Sequence, residues 1–408
     1  MLLDKYFVLD LTDDKGLFCT KILADLGADV VRIDKPVKTM PLESNFDQRK
    51  SWLHVAYNVN KRSVTLNIES GKGRGILKKL ARKADVLVES FPPGYMDQIG
   101  IGYSNLRKVN PRLVMTSITP FGQTGPYRDF QACDITLQAM GGIMAITGPP
   151  DKPPTRVGLP IAYLLGSAYA AVGTLVALYH QRVTGKGQHI DVSLYEGQIL
   201  TTGNMLPFWY LNRVKLNRMG HWRPVGIDGS VRQRQIYPCK DGFISFGIYG
   251  GPMGAKSNRA LVKAIENEGQ KDEYMSSIDW DGYDMAKTTE DQQSRMIEYF
   301  ANFFLSRTKD ELYSMALREG IQLFPVSTLQ DLLQSEQLAA RGFWDEISIE
   351  GKARVKYPGV MARLSEKAIS SKIKKSPSAI GEHNEEVYLK ELKFSRNEFS
   401  SLKEEGVI

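Results

Sequence analysis

Four short loops carry the residues best suited to chemistry: TDDKG (residues 12–16), KPVK (35–38), FPPGYM (91–96) and PFGQTGPY (120–127). Each joins glycine or proline to polar side chains, and two contain lysine. A single glycine loop says little. Four at successive strand ends could close around a nucleotide-sized ligand, with glycines admitting the backbone to phosphates and lysines neutralising them. Neither GxGxxG after the first apolar strand nor GxxxxGK[ST] is present. Dehydrogenase and P-loop readings are therefore disfavoured.

Metal and thiol chemistry find less support. Cys19, Cys133 and Cys239 are far apart and form no CxxC; His54, His180, His189, His221 and His383 form no HExxH-like pair. This pattern predicts no metal site, no disulfide framework and a reducing compartment. The start, MLLDKYFVLDLTDD, has an acidic residue at position 4 and no apolar run of signal-peptide length, so a cytoplasmic location is expected.

The loops need a scaffold, and the first third alternates strand and helix. YFVLDLT, VVRID, SVTLNI, DVLVESF and RLVMTSITPFG read as strands, with FCTKILADLG and GRGILKKLARKA as helices between them. That order predicts a doubly wound parallel sheet with ligands beyond the carboxyl ends of its strands. GKGQHIDVSLYEGQ reads as turn, strand and helix start. QIYPCKDGFISFGIYGG reads as a hairpin, and the charged stretch to Gly320 as helical. EHNEEVYLKEL and RNEFSSLKEEG read as two amphipathic helices. The expected division is a large α/β domain from residues 1–216 and 325–408, formed by both chain ends, with a smaller α+β domain at 217–324.

From Val157 to Tyr179 there is no charged residue, a length that could cross a bilayer. Its Gly, Ala and Ser content instead predicts a buried helix packed closely on its neighbours, and no membrane partner. The 408 residues are 42% hydrophobic and 24% charged, ordinary globular values that set aside disordered and coiled-coil readings. The excess of 53 Lys+Arg over 46 Asp+Glu is 7 charges, dispersed along the chain. It suits an anionic small molecule, and no nucleic-acid partner is expected.

Along nearly its whole length the chain resembles the class III CoA-transferases, the CaiB/BaiF family of formyl-CoA and carnitine CoA-transferases. The matching segments include ILADLGADVVRID, ADVLVESFPPGYMDQIGIGY, NPRLVMTSITPFGQTGPY, DITLQAMGGIMAITG and GKGQHIDVSLYEG. The resemblance implies an α/β fold in an interlinked dimer, CoA thioesters as substrates and no tightly bound cofactor. It also implies an aspartate nucleophile. That carboxylate attacks the acyl-CoA thioester to give a mixed anhydride and free CoA thiolate, which then forms an aspartyl-CoA resolved by the acceptor carboxylate.

The family places this aspartate in G-x-P-x-x-D at the start of the long helix. Here the stretch is Gly158-Leu-Pro160-Ile-Ala-Tyr163, so a phenol occupies the position. With an ordinary pKa near 10, a phenol is protonated at neutral pH, where a carboxylate is ionised. Tyr163 is expected to be a plug or core aromatic. Asp134 is the weak alternative nucleophile, otherwise structural. Further departures are Asp14-Lys15-Gly16-Leu17 in the first loop, Cys133 where a tyrosine is usual and Gln98 where a basic residue often follows. The resemblance also implies CoA contacts at Lys35, Phe91, Pro93, Gly94 and Gln98, and an active-site loop at Gly250, Gly251 and Gly254.

The leading expectation is a subunit without the nucleophile, paired with a related subunit that carries it, as in two-subunit family members of anaerobic aromatic degradation. The alternatives are a self-sufficient homodimeric transferase, isomerase or racemase, and a non-catalytic CoA-binding regulator.

Overall fold

The computed structural model describes residues 2–36, 52–203, 205–227, 229–348, 354–359, 362, 365 and 376–408. Val37 and Lys38 of the second loop lie outside these residues.

Valine, isoleucine and leucine dominate the central strands, as expected where both faces are covered. The strands are β1 (Phe7–Leu11), β2 (Asp29–Asp34), β3 (Lys61–Thr65), β4 (Val86–Glu89), β5 (Val114–Thr119) and β6 (His189–Ser193). They form one parallel sheet in the order β3-β2-β1-β4-β5-β6. The order reverses between β1 and β4, the switch point at which ligands bind in such sheets. The doubly wound α/β reading holds. β3 begins at Lys61, two residues earlier than the apolar run suggested, because Lys61 and Arg62 are buried and paired.

Two apolar layers cover the sheet. Leu9, Val31, Leu87 and Met115 face the helix Gly71–Ala81; Val8, Val30, Val86 and Val114 face the helices Leu17–Asp25 and Ile161–Thr184. The C-terminal segment closes the β3 edge. Thr65 N donates to Asn384 Oδ1 (2.8 Å), Tyr388 Oη to Thr65 O (2.7 Å), and buried Arg62 pairs with Glu386 (3.0 Å) and Glu391 (2.5 Å). The first of the two expected C-terminal helices is instead a π-helical turn, Glu386–Glu391; the second, Arg396–Glu404, is α-helical with a Ser395/Glu398 capping box.

The chain divides into two units. The first comprises residues 1–144, 156–215 and 337–408; the second comprises 145–155 and 216–336. Within the second, β7 (Ile236–Cys239) and β8 (Gly242–Phe246) form the expected hairpin. The strand Leu323–Pro325 pairs with β8, so the position expected to end the small domain, Phe324, falls inside its sheet. Its core is aromatic: Tyr237, Phe246, Phe300 and Phe304 are fully buried against one another.

The long helix departs from expectation. Ala162, Gly166, Ala170, Thr174 and Ala177 lie on its buried face, whereas Val172, Val176, Tyr179 and Val183 are exposed on the other. It is buried on one side only.

Candidate functional site

Two strand-end loops and the long helix are tied together at the switch point. Ser90 Oγ, just after β4, accepts from Asp13 N and donates to Asp13 Oδ1, each at 2.8 Å. Ser167 Oγ of the long helix donates to Lys15 O at 2.7 Å. Gly16 begins the turn into the first helix. A Cβ there would press into the Thr12 side chain, so glycine is what lets this loop lie flat.

Below the loops sits a buried charge cluster that sequence reading missed. Asp10, at the end of β1, takes hydrogen bonds from Lys61 Nζ (2.9 Å), Thr20 Oγ1 (2.6 Å) and Thr12 Oγ1 (2.6 Å). Burial opposes its ionisation, but Lys61, then Arg32, and the two hydroxyls outweigh it and hold the carboxyl at about 2. Lys61 also donates to Thr20 Oγ1 (2.7 Å) and Leu17 O (3.2 Å), satisfying the three donors of a buried ammonium. The signal was available: a charged residue at the end of an apolar strand is seldom incidental.

Tyr163 stands in the first turn of the long helix, half-buried. With Asp14, Leu17, Phe18, Tyr57 and Pro160 it lines a cavity of about 70 Å³. Phe18 and Tyr57 meet edge-on there, ring centroids 5.7 Å apart. Burial first, then the nearby Cys133, Asp13 and Asp134, pushes the phenol up to about 12. Asp134 is buried and both its oxygens are engaged: Oδ1 accepts from Ala162 N (2.9 Å) and Oδ2 from Gln138 Nε2 (2.6 Å). Its carboxylate thus caps the long helix, where Pro160 offers no capping side chain. Cys133 is exposed, with its thiol lowered first by the Thr136 hydroxyl.

The residues expected to meet CoA form a second group. Gly94 adopts φ 81°, left-handed backbone that suits glycine, and starts the short helix Tyr95–Gln98. The Phe91 and Tyr95 rings lie 5.1 Å apart. Pro93 is half-buried within the turn, and Gln98 is exposed at its far end. Lys35 is exposed and donates to Glu69 Oε1 at 3.0 Å, with the Tyr95 hydroxyl 3.5 Å from the same oxygen. Lys35, Phe91, Pro93 and Gly94 therefore share one neighbourhood, and Lys35 is already paired.

Gly250, Gly251 and Gly254 belong to the second unit. Gly251 has φ 74° and opens the helix Gly251–Asn267; a Cβ on Gly254 would strike the Tyr249 carbonyl. Gly250 and Gly251, with Arg223, Gly226 and Tyr283, line a cavity of about 450 Å³ in that unit.

Comparison with known proteins agrees with this arrangement. The sequence model of CoA-transferase family III matches residues 3–384. The subunit BbsE of succinyl-CoA:(R)-benzylsuccinate CoA-transferase from Thauera aromatica is 33% identical over 393 residues, 94% of this chain and 92% of that one. Succinyl-CoA–D-citramalate CoA-transferase from Chloroflexus aurantiacus is 30% identical, covering 96% of this chain and 94% of its own length. A crystal structure of a CaiB/BaiF family protein from Brucella suis superposes with a TM-score of 0.78 at 25% identity, covering 94% of this chain and 98% of that one. A parallel sheet with its loops gathered at the switch point, a family match across nearly the whole length and relatives aligned end to end place this chain in CoA-transferase family III.

Proposed function

We propose that this chain is a subunit of an enzyme moving CoA between an acyl-CoA and a carboxylic acid, and that it pairs with a related subunit supplying the aspartate nucleophile. The observation that carries the reading is Tyr163. A phenol held at about 12 is protonated at neutral pH, and an aryl ester would be a poorer acyl carrier than an anhydride. Asp134 is a poor substitute, because attack would strip the cap from the long helix. The relative from Thauera aromatica is named as a subunit, which favours pairing and makes succinyl-CoA with benzylsuccinate the first substrates to assay. The exposed apolar face of the long helix supports assembly, in this reading as an interlinked dimer or its dimer of dimers in the cytoplasm.

A self-sufficient homodimer is the second reading, favoured by Asp134, whose carboxylate sits on Ala162 N, the residue before Tyr163, and so beside the candidate centre. The deciding experiment purifies the chain alone and with a co-expressed paralogue bearing G-x-P-x-x-D, then measures acyl exchange. Activity only in the pair supports the proposal. Full activity of the single chain, with a borohydride-trapped Asp134 peptide, overturns it.

A further inference from the structure

The cavity of about 450 Å³ in the second unit falls within the roughly 300–1,000 Å³ of small-molecule sites. Three stretches line it: Arg223–Gly226, the Gly250–Gly251 turn and Tyr283–Ala286. Gly226 N donates to Met285 O at 2.9 Å, tying the first stretch to the third. A Cβ on Gly250 would come within 2.6 Å of the Tyr283 carbonyl oxygen, so glycine lets the turn close against that wall.

Of the described residues on this lining, Arg223 alone carries a cationic side chain, and it is half-buried. Its guanidinium carbon lies 5.3 Å from the centre of the Tyr249 ring. That ring is itself anchored: Tyr249 Oη donates to Gln235 Oε1 (3.0 Å), and buried Asn258 donates from Nδ2 to Tyr249 O (2.9 Å). Arg223 pairs with no carboxylate among the described residues. Asp284 shares the lining but is engaged elsewhere, its Oδ1 accepting from Ala286 N (2.9 Å) and its Oδ2 facing Lys287 Nζ (3.5 Å). A guanidinium resting on an aromatic face keeps its N–H fork for a planar anion. Pro224, Val225, Met285 and Ala286 supply apolar wall beside it.

We infer that this cavity binds an organic acid, its carboxylate on the Arg223 guanidinium and its carbon body against Pro224, Val225, Met285 and Ala286. A free phosphate would satisfy the guanidinium but leave those walls uncovered. The inference rests on the proposed function only in naming this acid as the one that receives CoA; the binding stands apart from turnover.

The test is equilibrium binding to the full chain by NMR titration, with no acyl-CoA present and with 3-phenylpropanoate and hexanoate as probes. Neutral 3-phenylpropanamide and inorganic phosphate are the comparisons, and 3-phenylpropanoate should bind at least about tenfold more tightly than either. Arg223→Gln should weaken the acids by about tenfold or more with circular dichroism unchanged, and Arg223→Lys should recover part of that loss. Ala286→Trp, which fills the cavity from an exposed position, should weaken them likewise. No binding of either acid by the native chain, equal binding of the amide or of phosphate, or indifference to Arg223→Gln overturns the inference. Its failure is separable from that of the transferase reading. Acid binding that needs Arg223, in a chain without acyl exchange in any pairing, supports the site and sinks the transfer. Exchange in the pair, with the KM of the acid unmoved by Arg223→Gln, sinks the site and leaves the transfer standing.

Discussion

At position 163 a carboxylate would enter crowded company. Asp134 already supplies the anion at the N-terminus of the long helix, and Asp13 also acts on this site. A second carboxylate there would be pushed toward its neutral form by its neighbours. Tyr163→Asp is therefore expected to leave acyl exchange at least a hundredfold below that of a nucleophile-bearing relative, since misplacement by about 1 Å costs on that order. A coupled assay, with CoA affinity measured by calorimetry on the same sample, checks it; tight binding together with restored exchange would refute it. Asp134 makes the complementary case. Asp134→Ala should cost about 1–3 kcal/mol in urea unfolding, through loss of the cap and of the Gln138 bond, whereas Asp134→Asn keeps an acceptor for Ala162 N and should lose less. The identity of these residues was legible in the sequence. Their engagement was not, because Asp134 and Ala162 are 28 positions apart and meet only when two helices cross.

The long helix shows how composition and packing divide the information at the scale of an element. Its small residues are the buried side. Gly166 lies so close to Leu194 that any side chain there would collide, and Gly197 packs back toward Gly166. Gly166→Val should therefore destabilise the fold by more than about 2 kcal/mol, measured by thermal unfolding. Its large apolar residues are the exposed side, with Val176 at 64% and Tyr179 at 72% exposure, a placement that suits assembly better than solvent. Val176→Glu with Tyr179→Glu should leave circular dichroism and unfolding unchanged within about 0.5 kcal/mol while shifting the light-scattering mass toward monomer. Unaltered mass would exclude this face from the assembly. Hydropathy alone could not separate the two sides, because Ala, Gly, Val and Tyr all read as uncharged over a run with no charged residue, and its two aliphatic hydroxyls, Ser167 and Thr174, lie on the buried side.

For the whole molecule, Glu89 links folding to pH. Its pKa is about 7 when folded and about 4.5 when free, so between these values the folded chain binds more protons than the unfolded one. Stability is fully present below about pH 4.5 and falls as pH rises through 7, by roughly 3 kcal/mol at most. Glu89→Gln should flatten that slope in denaturant titrations at pH 5, 6 and 7; an unchanged slope would show that Glu89 titrates elsewhere. Asp10 has the opposite sign. Held at about 2, it loses its contribution as pH falls from about 4 toward 2.

The sequence by itself determined the alternation of strands and helices, the parallel sheet, the hairpin of the second unit and the four loops. Strand-length apolar runs and glycine punctuation are local signals, and the order of elements then leaves few topologies. It also displayed Tyr163 at its position. Only the tertiary structure decided which charges share a site. Asp10 and Lys61 lie 51 positions apart, and Ser117 meets His189 across the β5–β6 pairing, 72 positions away. Such contacts depend on register between strands distant in the chain, and a buried charge finds its partner in space rather than in sequence.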